Sequence, residues 1–452
     1  MKIIVENLWS KIETDNKKLL DALRTIYTFR VTHFAKRNWD GRRPLITAKG
    51  KFRTGLLPHI LQNLKKVDVT PHLDFQYTPA EEPPPVVEHI GDFSLYDFQK
   101  DLVDKALTNS RGIIKSPTGS GKTLMMASIL KSVPYKKALV LFTQVQLVVQ
   151  TYMFMEQCGF KCGEDIGICT GQDYEPGRCM FATVQSIEKI AHEFIDCDLF
   201  MVDEAHEFSN SRDREMVITS FAQAFYRYGF TATPPSEDLP LLKLMGAFGP
   251  VLETKTAADL VEDGKLSKPI IKLLQLREEP ELEHKFLSYQ DIYDKYIVNN
   301  EDRNQSIFNL VEVTRFANPF AKIVILVKNL AHLDILMEMI PGSITLQGCD
   351  KIKTRYEKIN EFRDPTKATV LIGTKILQTG VNIEEITDLI NARGLSKDIP
   401  TLQAMGRALR KHESKTSVNI YDYMDTVKYL DRHSRARRKH YIEEGHEVHE
   451  IS

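Results

Sequence analysis

The sequence lacks an excess of charge of either sign. Its 452 residues carry 60 Lys and Arg against 61 Asp and Glu, which gives a formal net charge of −1 at pH 7. A chain with so little net charge has no overall field that would attract a polyanion. Any surface that binds nucleic acid must therefore be local. The hydrophobic fraction of 42 % is typical of a folded globular chain and is too high for a disordered one.

Cysteine is scarce as well. The chain has six cysteines, and no two of them form a C-x₂-C pair. A disulfide framework needs a higher density of cysteine, and zinc or iron–sulfur sites use closer, more regular spacings. The composition therefore indicates a reducing compartment and disfavours a metal cluster among the cysteines between residues 158 and 197. These are Cys158, Cys162, Cys169, Cys179 and Cys197.

Long apolar runs are also missing. Residues 138–155 contain no charge, but glutamine and threonine interrupt the run, whereas a membrane-spanning helix needs about 20 mostly apolar residues. We expect a buried strand followed by a helix there. The first residues, MKIIVENLWSKIETDN, lack the apolar core and the small-residue cleavage site of a signal peptide. We therefore expect no signal peptide and no membrane segment.

The local distribution of charge predicts the domain organisation. Residues 1–70 hold 15 Lys and Arg but only 6 Asp and Glu, whereas residues 71–98 hold 6 acids and no Lys or Arg. Three consecutive prolines, residues 83–85, favour an extended connector inside the acidic stretch. We predict an accessory domain over 1–75, a linker over 76–94, and two larger domains over 95–265 and 266–452. The alternative is a proline-rich surface loop within one domain.

Short apolar runs alternate with amphipathic helical patterns from about residue 95 to residue 400. This alternation predicts the α/β class, with parallel sheets covered by helices. The candidate helices include residues 98–106 and 123–132. The candidate strands are residues 112–115, 138–142, 199–202, 229–230, 322–327 and 369–372.

A glycine-containing loop after the first candidate strand indicates a phosphate-binding site. Residues 116–123 read SPTGSGKT, with an apolar run before them and a helical run after them. Small residues let the backbone N–H groups surround a phosphate chain, Lys122 supplies a charge for the β- and γ-phosphates, and the Thr123 hydroxyl can bind Mg²⁺. Ser116 occupies the position where a glycine is usual. The alternative is a glycine-rich turn before an ordinary helix.

A pair of acids follows the apolar run LFMV. Asp203 is placed to hold Mg²⁺, and Glu204 is placed to orient or deprotonate the attacking water. Such a pair on its own often marks only the end of a strand. Its combination with the Lys122 loop favours the catalytic interpretation.

A third motif lies near the C-terminus, at residues 403–410, QAMGRALR. On a helix, Gln403, Arg407 and Arg410 would share one face, and two guanidinium groups suit the charge that develops on a transferred phosphoryl group. The alternative is a solvated basic helix face.

Taken together and in this order, the Lys122 loop, the sequence DEAH, the sequence TAT at residues 231–233 and the motif Q-x-x-G-R-x-x-R resemble the superfamily 2 helicases. The resemblance covers residues 95–425 or so. It implies two tandem RecA-like parallel-sheet domains with a small N-terminal α+β accessory domain, ATP and Mg²⁺ as cofactors, and nucleic acid as the partner.

The resemblance also assigns individual residues. It places Gln99 at the adenine, and Thr231 and Thr233 in the segment that couples hydrolysis to domain movement. The residues implied for binding the nucleotide are Gln99, Ser116, Thr118, Gly119, Ser120, Gly121, Lys122, Thr123, Asp203, His206, Gly380 and Asn382. Those implied for contacts with the DNA are Gln144, Gln150, Thr183, Lys328, Gly348, Arg355 and Thr374. Two positions depart from the family pattern: Thr143 stands where a proline is usual, and Asn382 where many relatives carry an acid.

The N-terminal sequence NWDGR, followed by TGLLP, resembles the accessory domain of the UvsW-type helicases of large tailed phages. Trp39 and Arg42 could then stack on a base and pair with a phosphate, with Lys36, Arg37 and Arg43 nearby. A core tryptophan beside a basic loop is the alternative. The basic residues of the C-terminal segment could face phosphates or form a solvated tail; they are Arg432, Arg435, Arg437, Arg438 and Lys439.

These resemblances imply an ATP-dependent DNA helicase or translocase that acts on forks, Holliday junctions and R-loops. It would work in the bacterial cytoplasm if a phage encodes it, with DNA, and RNA within R-loops, as partners. Two alternatives stay open: an RNA helicase, and a clamp that binds nucleic acid and switches with ATP without unwinding. The oligomeric state is also open.

Overall fold

The computed structural model describes residues 1–30, 41–77, 82–117, 119–208, 212–221, 224–235, 238–276, 287–347, 350, 352–374, 385–395, 417–443 and 446–451. Contacts divide the chain into two compact units. The first comprises Met1–Pro117 and Gly121–Thr254, and the second comprises Lys255–Ser452 together with Thr118–Ser120. No helix in the described part of the chain is long and apolar enough to cross a membrane.

The first unit begins with a four-stranded mixed sheet, here called the N-terminal sheet, with strand order β5-β2-β1-β6. The central strand β1 runs antiparallel to β2 and parallel to β6. The same region also forms two helices and a separate antiparallel pair of strands, β3 and β4. The elements are β1 (Lys2–Val5), β2 (Trp9–Glu13), α1 (Lys17–Ile26), β3 (Thr28–Arg30), β4 (Arg42–Pro44), β5 (Lys51–Arg53), α2 (Leu57–Lys65) and β6 (His72–Phe75).

The rest of the first unit is built on a larger sheet with strand order β12-β11-β13-β10-β14-β15-β9-β16. All described pairings in it are parallel except that of β11 with β12. Its strands, with the small hairpin β7–β8, are β7 (His89–Ile90), β8 (Phe93–Ser94), β9 (Arg111–Lys115), β10 (Ala138–Phe142), β11 (Ile166–Cys169), β12 (Tyr174–Glu175), β13 (Cys179–Thr183), β14 (Leu199–Val202), β15 (Tyr226–Thr231) and β16 (Val251–Leu252). The helices are α3 (Asp97–Asn109), α4 (Lys122–Ser132), α5 (Val145–Gln157), α6 (Ala191–Phe194), α7 (Arg212–Ser220) and α8 (Asp238–Phe248).

The second unit contains another parallel sheet, with strand order β19-β20-β18-β21-β22-β17-β23. A π-helical turn, Asp294–Val298, follows its second helix. The elements are α9 (Ala257–Glu262), β17 (Lys268–Gln275), α10 (Tyr289–Tyr293), α11 (Glu301–Ala317), β18 (Lys322–Leu326), α12 (Leu330–Met339), β19 (Ile344–Leu346), α13 (Ile352–Phe362), β20 (Thr369–Gly373), β21 (Asp388–Asn391), β22 (Ser417–Met424), α14 (Leu430–Glu443) and β23 (Glu447–Ile451).

Burial explains why these segments form strands. The central strands β10, β13 and β14 are buried along their whole length, as parallel strands covered by helices on both faces should be. The predicted α/β class is confirmed, and the uncharged run at 138–155 forms a strand and a helix as expected.

One core joins the N-terminal sheet to the larger sheet of the first unit. Residues of the N-terminal sheet such as Ile3 and Phe52 belong to the same cluster of buried side chains as Val202 and Phe248. The contacts therefore group the region predicted as an accessory domain with the domain predicted for 95–265. The first unit ends at Thr254 rather than at residue 265. The division into three functional domains stays a prediction.

Candidate nucleotide site in the first unit

Parallel pairing brings the predicted nucleotide-binding motifs to one edge of a sheet. Strands β14, β15 and β9 are neighbours and run in the same direction. Their carboxyl ends therefore lie together, and each is followed by a motif that the sequence predicted: Asp203 after β14, Thr231 at the end of β15 and Ser116 after β9. Ligands of open parallel sheets bind at this edge.

The phosphate loop has the backbone that a cradle requires. Gly119 and Gly121 have φ angles of +86° and +84°, in the left-handed region that favours glycine. Gly121 is also the N-cap of α4, so the loop leads directly into a helix N-terminus, where phosphates bind favourably. Ser120 is buried, whereas Lys122 and Thr123 are half-buried.

Gln99 lies against this loop. Its side chain is 2 % exposed, and its Oε1 accepts a hydrogen bond of 2.8 Å from the backbone N–H of Tyr96. A Cβ on Gly121 would lie 2.3 Å from the Gln99 Nε2, so the amide fills the space that the absent side chain leaves. The structure thus brings Gln99 and the phosphate loop together, as predicted for one nucleotide site.

Two contacts hold the loop to its neighbours. The Ser116 backbone N–H donates to the Thr231 carbonyl oxygen at 3.1 Å, which extends the pairing of β9 with β15. The Lys122 Nζ lies 3.5 Å from the Ser116 carbonyl oxygen, to which it donates. The ammonium group is therefore turned back towards the loop where phosphate oxygens would lie.

The acidic motif continues from β14. The Asp203 backbone N–H donates to the Leu141 carbonyl oxygen at 2.9 Å, which ties the residue to β10. Glu204 has a φ of +48°, which is uncommon for a residue other than glycine. Its side chain is 14 % exposed. Such backbone strain is concentrated at functional sites, where the surroundings hold a side chain in place.

His206 connects the acidic motif to β15. Its ring is buried, with Nδ1 2.9 Å from the Thr231 Oγ1 and 3.4 Å from the Glu204 Oε2. The Thr231 Oγ1 also accepts from the Thr233 backbone N–H at 3.1 Å. Burial lowers the pKa of His206, against the opposing effect of nearby carboxylates, so the ring is neutral at pH 7. A continuous set of polar contacts therefore runs from Glu204 to Thr233.

The donor set of this edge suits a nucleotide with Mg²⁺. The Thr123 hydroxyl and the Asp203 carboxylate are hard oxygen ligands of the type that Mg²⁺ prefers. The glycine cradle and Lys122 supply N–H groups and a cation for phosphates. The residues present therefore fit the predicted cofactors, and Thr123 and Asp203 are the residues that would hold the metal ion.

The predicted DNA-binding residues of the first unit occupy varied positions. Gln144 is the N-cap of α5, Gln150 lies within the same helix, and both are half-buried. Thr183, however, is 1 % exposed, and its Oγ1 donates to the Ser186 Oγ at 2.9 Å. This burial does not support a direct contact of its hydroxyl with a phosphate. Arg42 is exposed at the start of β4.

In the second unit, Lys328 and Thr374 follow the neighbouring parallel strands β18 and β20, so they share the carboxyl edge of that sheet. The Lys328 Nζ lies 4.0 Å from the ring centroid of Tyr293 and 5.3 Å from that of Tyr289. These tyrosines were missed from the sequence, because they stand far from Lys328 along the chain. Arg355 lies in α13, and its side chain is outside the described part of the structure.

Several predicted residues fall outside the described residues altogether. They are Trp39, Thr118, Gly348, Gly380, Asn382, Gln403, Arg407 and Arg410.

Two arginines of the predicted basic clusters hold the fold together instead. Arg43 donates to both carboxylate oxygens of Glu215, at 3.1 and 3.3 Å, and thereby joins β4 to α7. Arg437 is buried and donates to the carboxylate of Asp422 at 2.8 and 3.0 Å. The buried pair with Asp422 corrects the interpretation of Arg437 as part of a phosphate-facing helix or a solvated tail, whereas the Arg43 side chain is 40 % exposed.

The comparisons with known proteins agree with the geometry of the first unit. The family described as "Type III restriction enzyme, res subunit" matches residues 92–236, and "Helicase conserved C-terminal domain" matches residues 305–412. The chain is 22 % identical to the ATP-dependent DNA helicase uvsW of Enterobacteria phage T4, over 89 % of this chain and 85 % of that protein. The two matched domains indicate a superfamily 2 helicase.

Further similarities extend this helicase assignment. The DNA 3'-5' translocase XPB2 of Sulfurisphaera tokodaii is 24 % identical over 76 % of this helicase and 84 % of its own length. The structure of S. cerevisiae Dbp5 bound to RNA and ADP BeF3 has the same fold, with a TM-score of 0.56 and 15 % identity, over 87 % of this helicase and 93 % of that chain. The protein is thus an ATP-dependent helicase with two RecA-like domains.

Proposed function

We propose that this helicase is a DNA translocase that remodels branched DNA, through fork regression, Holliday-junction branch migration and R-loop unwinding. The observation that carries the proposal is the attachment of the N-terminal sheet to the strands that end at the ATP site. The names of two relatives, a DNA helicase and a DNA translocase, support DNA rather than RNA as the substrate. If a phage encodes the protein, it would act in the bacterial cytoplasm.

The attachment centres on Asn7. Its backbone carbonyl oxygen accepts from the Arg111 Nη1 at 2.8 Å and from the Arg227 Nη2 at 3.0 Å, and its Oδ1 accepts from the Arg111 Nη2 at 2.9 Å. Both guanidinium groups are buried, and burial lowers the pKa of each. Arg111 begins β9 and Arg227 lies at the start of β15, the strands that lead to Ser116 and Thr231. An N-terminal sheet fixed in this way would move with the ATP-binding domain and could hold one arm of a branched DNA.

The residues of the ATP site divide the chemistry in the following way. Bound ATP supplies the phosphoryl group that is transferred to water. Glu204 accepts the proton of the attacking water, and Lys122 stabilises the negative charge on the phosphate oxygens. Thr123 and Asp203 would hold Mg²⁺. The neutral His206 transmits changes at Glu204 to Thr231. We further propose that Gln403, Arg407 and Arg410 stabilise the same phosphoryl charge.

The test is the rate of ATP hydrolysis with a panel of nucleic acids: single-stranded DNA, plain duplex, a replication fork, a four-way junction, an R-loop and RNA. Stimulation by forks and junctions well above that by RNA is the expected result. The Lys122→Ala variant gives the blank, and Glu204→Ala should also abolish hydrolysis while most DNA binding remains.

Two results would contradict the proposal. Stimulation by RNA alone, with a dependence on the 2′-OH, would identify an RNA helicase. Turnover far below about one per minute with every substrate, against the ordinary enzyme range, would identify an ATP-switched clamp. Near-normal turnover of Glu204→Ala would disprove only the assignment of the catalytic base.

A further inference from the structure

The N-terminal sheet has one buried face and one open face. Ile3, Val5, Ile12 and Phe52 lie on the buried face, within the core of the first unit. Because successive side chains of a strand point to opposite faces, the residues between them lie on the other side. This open face includes Lys2, Trp9, Lys11, Lys51 and Arg53, all of which are half-buried or exposed.

Two cations of the open face lie over the ring of Trp9. Trp9 pairs with Arg53 in the register of β2 with β5, and the Arg53 guanidinium carbon lies 4.5 Å from the centroid of its ring. The Lys51 Nζ lies 4.9 Å from the same centroid. A Cβ on Gly246 of α8 would lie 3.3 Å from the Arg53 Cβ, so the stem of Arg53 is fixed beside α8. The result is an aromatic ring with two positive charges over it.

The charge of the open face is positive beyond its internal ion pairs. Its two acids are each bound by a lysine: Asp74 by Lys2 at 2.8 Å, and Glu13 by Lys11 at 2.7 Å. Among the described residues, Lys51 and Arg53 make no ion pair with a carboxylate. An anion at this face would therefore meet Lys51, whose charge no acid of the face neutralises, and Arg53, with which the Glu215 carboxylate also interacts. Residues 1–70 carry an excess of basic residues in the sequence.

We propose that the open face binds a single nucleic-acid strand, with a base stacked on Trp9 and phosphates held by Lys51 and Arg53. Trp9 is half-buried. Stacking on an aromatic ring requires an unpaired base, and every base offers a π-face, so the chemistry fits a single strand rather than a duplex. Phosphate oxygens match the lysine and arginine heads that lie over the ring.

The position of this face gives it a role distinct from that of the residues predicted to contact DNA in the two larger domains. Trp9 stands two residues after Asn7. The Asn7 carbonyl oxygen accepts hydrogen bonds from Arg111 and Arg227 at the amino ends of β9 and β15. The ATP site lies at their carboxyl ends, about 13 Å away for a five-residue strand. The inference rests on the proposed function, since a second contact would let the motor hold one strand of a branched substrate at a fixed distance from its ATP site.

Fluorescence of Trp9 tests the inference directly. The sequence contains only two tryptophans, Trp9 and Trp39, so Trp39→Phe leaves Trp9 as the sole reporter. In that background, a 16-nucleotide oligo(dT) should quench the emission at 50 mM salt. An RNA of the same length and a 16-base-pair duplex complete the panel. The Lys122→Ala change added to this background should leave the quenching intact, because Lys122 belongs to the ATP site.

Matched variants separate a binding surface from a structural one. Lys51→Glu should weaken oligo(dT) binding about ten-fold or more and lower the salt slope by about 1. Lys18→Glu makes the same charge change on the exposed side of α1 and should alter the affinity less than about two-fold, since it lies away from the open face. Trp9→Ala should weaken binding about ten-fold in the Trp39-containing protein, measured by anisotropy of a labelled strand, and Trp9→Tyr should restore most of it.

Three results would overturn the inference: no quenching of Trp9 by either single strand, equal effects of Lys51→Glu and Lys18→Glu, or quenching by the duplex alone. Quenching by RNA as well as by DNA would support the strand-binding face, because stacking does not read the sugar. The ATPase panel judges the proposed function separately. Strand binding at Trp9 combined with hydrolysis stimulated by RNA alone would leave the face in place and disprove the branched-DNA motor.

Discussion

Among single residues, Gly121 links the sequence motif to the geometry most directly. Its φ of +84° and its contact with Gln99 leave no room for a side chain. Gly121→Ala should therefore displace the Gln99 amide, strain the phosphate loop and lower kcat/KM for ATP hydrolysis by about 100-fold, a loss of about 2.7 kcal/mol of transition-state stabilisation. Steady-state kinetics with saturating DNA measures the effect.

Gly159→Ala is the matched control for that prediction. Gly159 has a similar φ of +77°, but nothing lies within 4 Å of a Cβ built on it. The control should lose about 1–2 kcal/mol of stability from the left-handed backbone and keep its kcat/KM. Equal kinetic losses in the two variants would show that backbone strain, rather than the contact with Gln99, causes the effect.

The buried ring of His332 leads us to expect that acid lowers the stability of the second unit. The ring is buried, its Nε2 lies 2.9 Å from the Asn304 Oδ1, and burial, with a smaller contribution from Arg303, lowers the pKa to about 3. In the unfolded chain His332 has a pKa of about 6.5. As the pH falls, the unfolded chain therefore binds a proton at this residue before the folded chain does. The contribution of His332 to stability is therefore complete above pH 6.5 and is lost as the pH falls from about 6.5 towards 3.

Hydrogen exchange of α12 measures this loss. Protection of Leu330–Met339 should fall between pH 7 and pH 5 after correction for the intrinsic exchange rate. His332→Gln, which cannot gain the proton, should show a weaker dependence on pH. A profile identical to that of the unchanged protein would mean that another group governs the response; His446, whose pKa burial lowers to about 4, is the next to substitute.

Individual residues also show how much of the site the sequence could predict. Lys122, Asp203, Glu204 and His206 stand in short, ordered motifs, and the structure gathers them at one edge of one sheet. The partners of Arg43 could not be predicted in this way, because Glu215 lies 172 residues further along the chain. A pattern of neighbouring residues identifies a basic cluster, but it cannot reveal an acid that the fold brings to it.

Among the elements, the turn between β1 and β2 is hydrogen-bonded to the strands β9 and β15 through Asn7. Asn7→Ala removes the Oδ1 that accepts from Arg111 and leaves a buried guanidinium with one partner fewer. The free energy of unfolding should fall by about 1–3 kcal/mol, the usual result of depriving a buried polar group of its partner. Urea unfolding followed by tryptophan emission measures it.

Asp21→Ala is the control for the Asn7 variant. Asp21 forms an exposed ion pair with Arg24 at 3.1 Å on α1, also in the first unit. Exposed pairs contribute about 0–1 kcal/mol, so this control should change the stability little. If both variants lose the same amount, the contacts of Asn7 are no more important than a surface ion pair.

Strands of continuous apolar sequence were predicted well, and alternating strands were not. Ala138–Phe142 and Leu199–Val202 form strands with the predicted bounds. Lys268–Gln275 and Ser417–Met424 were missed, although they pair with each other along eight positions. Lysine, asparagine and aspartate interrupt their apolar residues, and their pairing spans almost 150 residues. Only the completed sheet makes either segment a strand.

For the whole molecule, the shared core predicts that the N-terminal region is not dispensable for folding. Residues 1–77 supply Ile3, Tyr27 and Phe52 to the core that also contains Phe200 and Phe248. Removal of this region would expose that apolar surface and the buried side of α8. We expect a fragment of residues 1–254 to unfold in one cooperative transition, and a fragment of residues 82–254 to aggregate or to melt at least about 10 °C lower.

Calorimetry of the two fragments provides the measurement, with circular dichroism as a second probe. Coincident transitions by both methods would establish the cooperativity of the longer fragment. An unchanged melting temperature after truncation would instead mean that residues 1–77 form an independent domain, as the charge distribution of the sequence suggested.

The strand β23 has a consequence for the synthesis of the protein. Glu447–Ile451 pairs in parallel with β17, Lys268–Gln275, whose other edge is bound by β22, Ser417–Met424. The strand that opens the second unit therefore has no neighbour until the ribosome has added about 150 further residues. All described strands of the first unit's sheets lie before Thr254, so this unit can fold while translation continues. We expect a nascent chain stalled near residue 400 to carry a folded first unit and a protease-sensitive second one, in which β17 is available to chaperones.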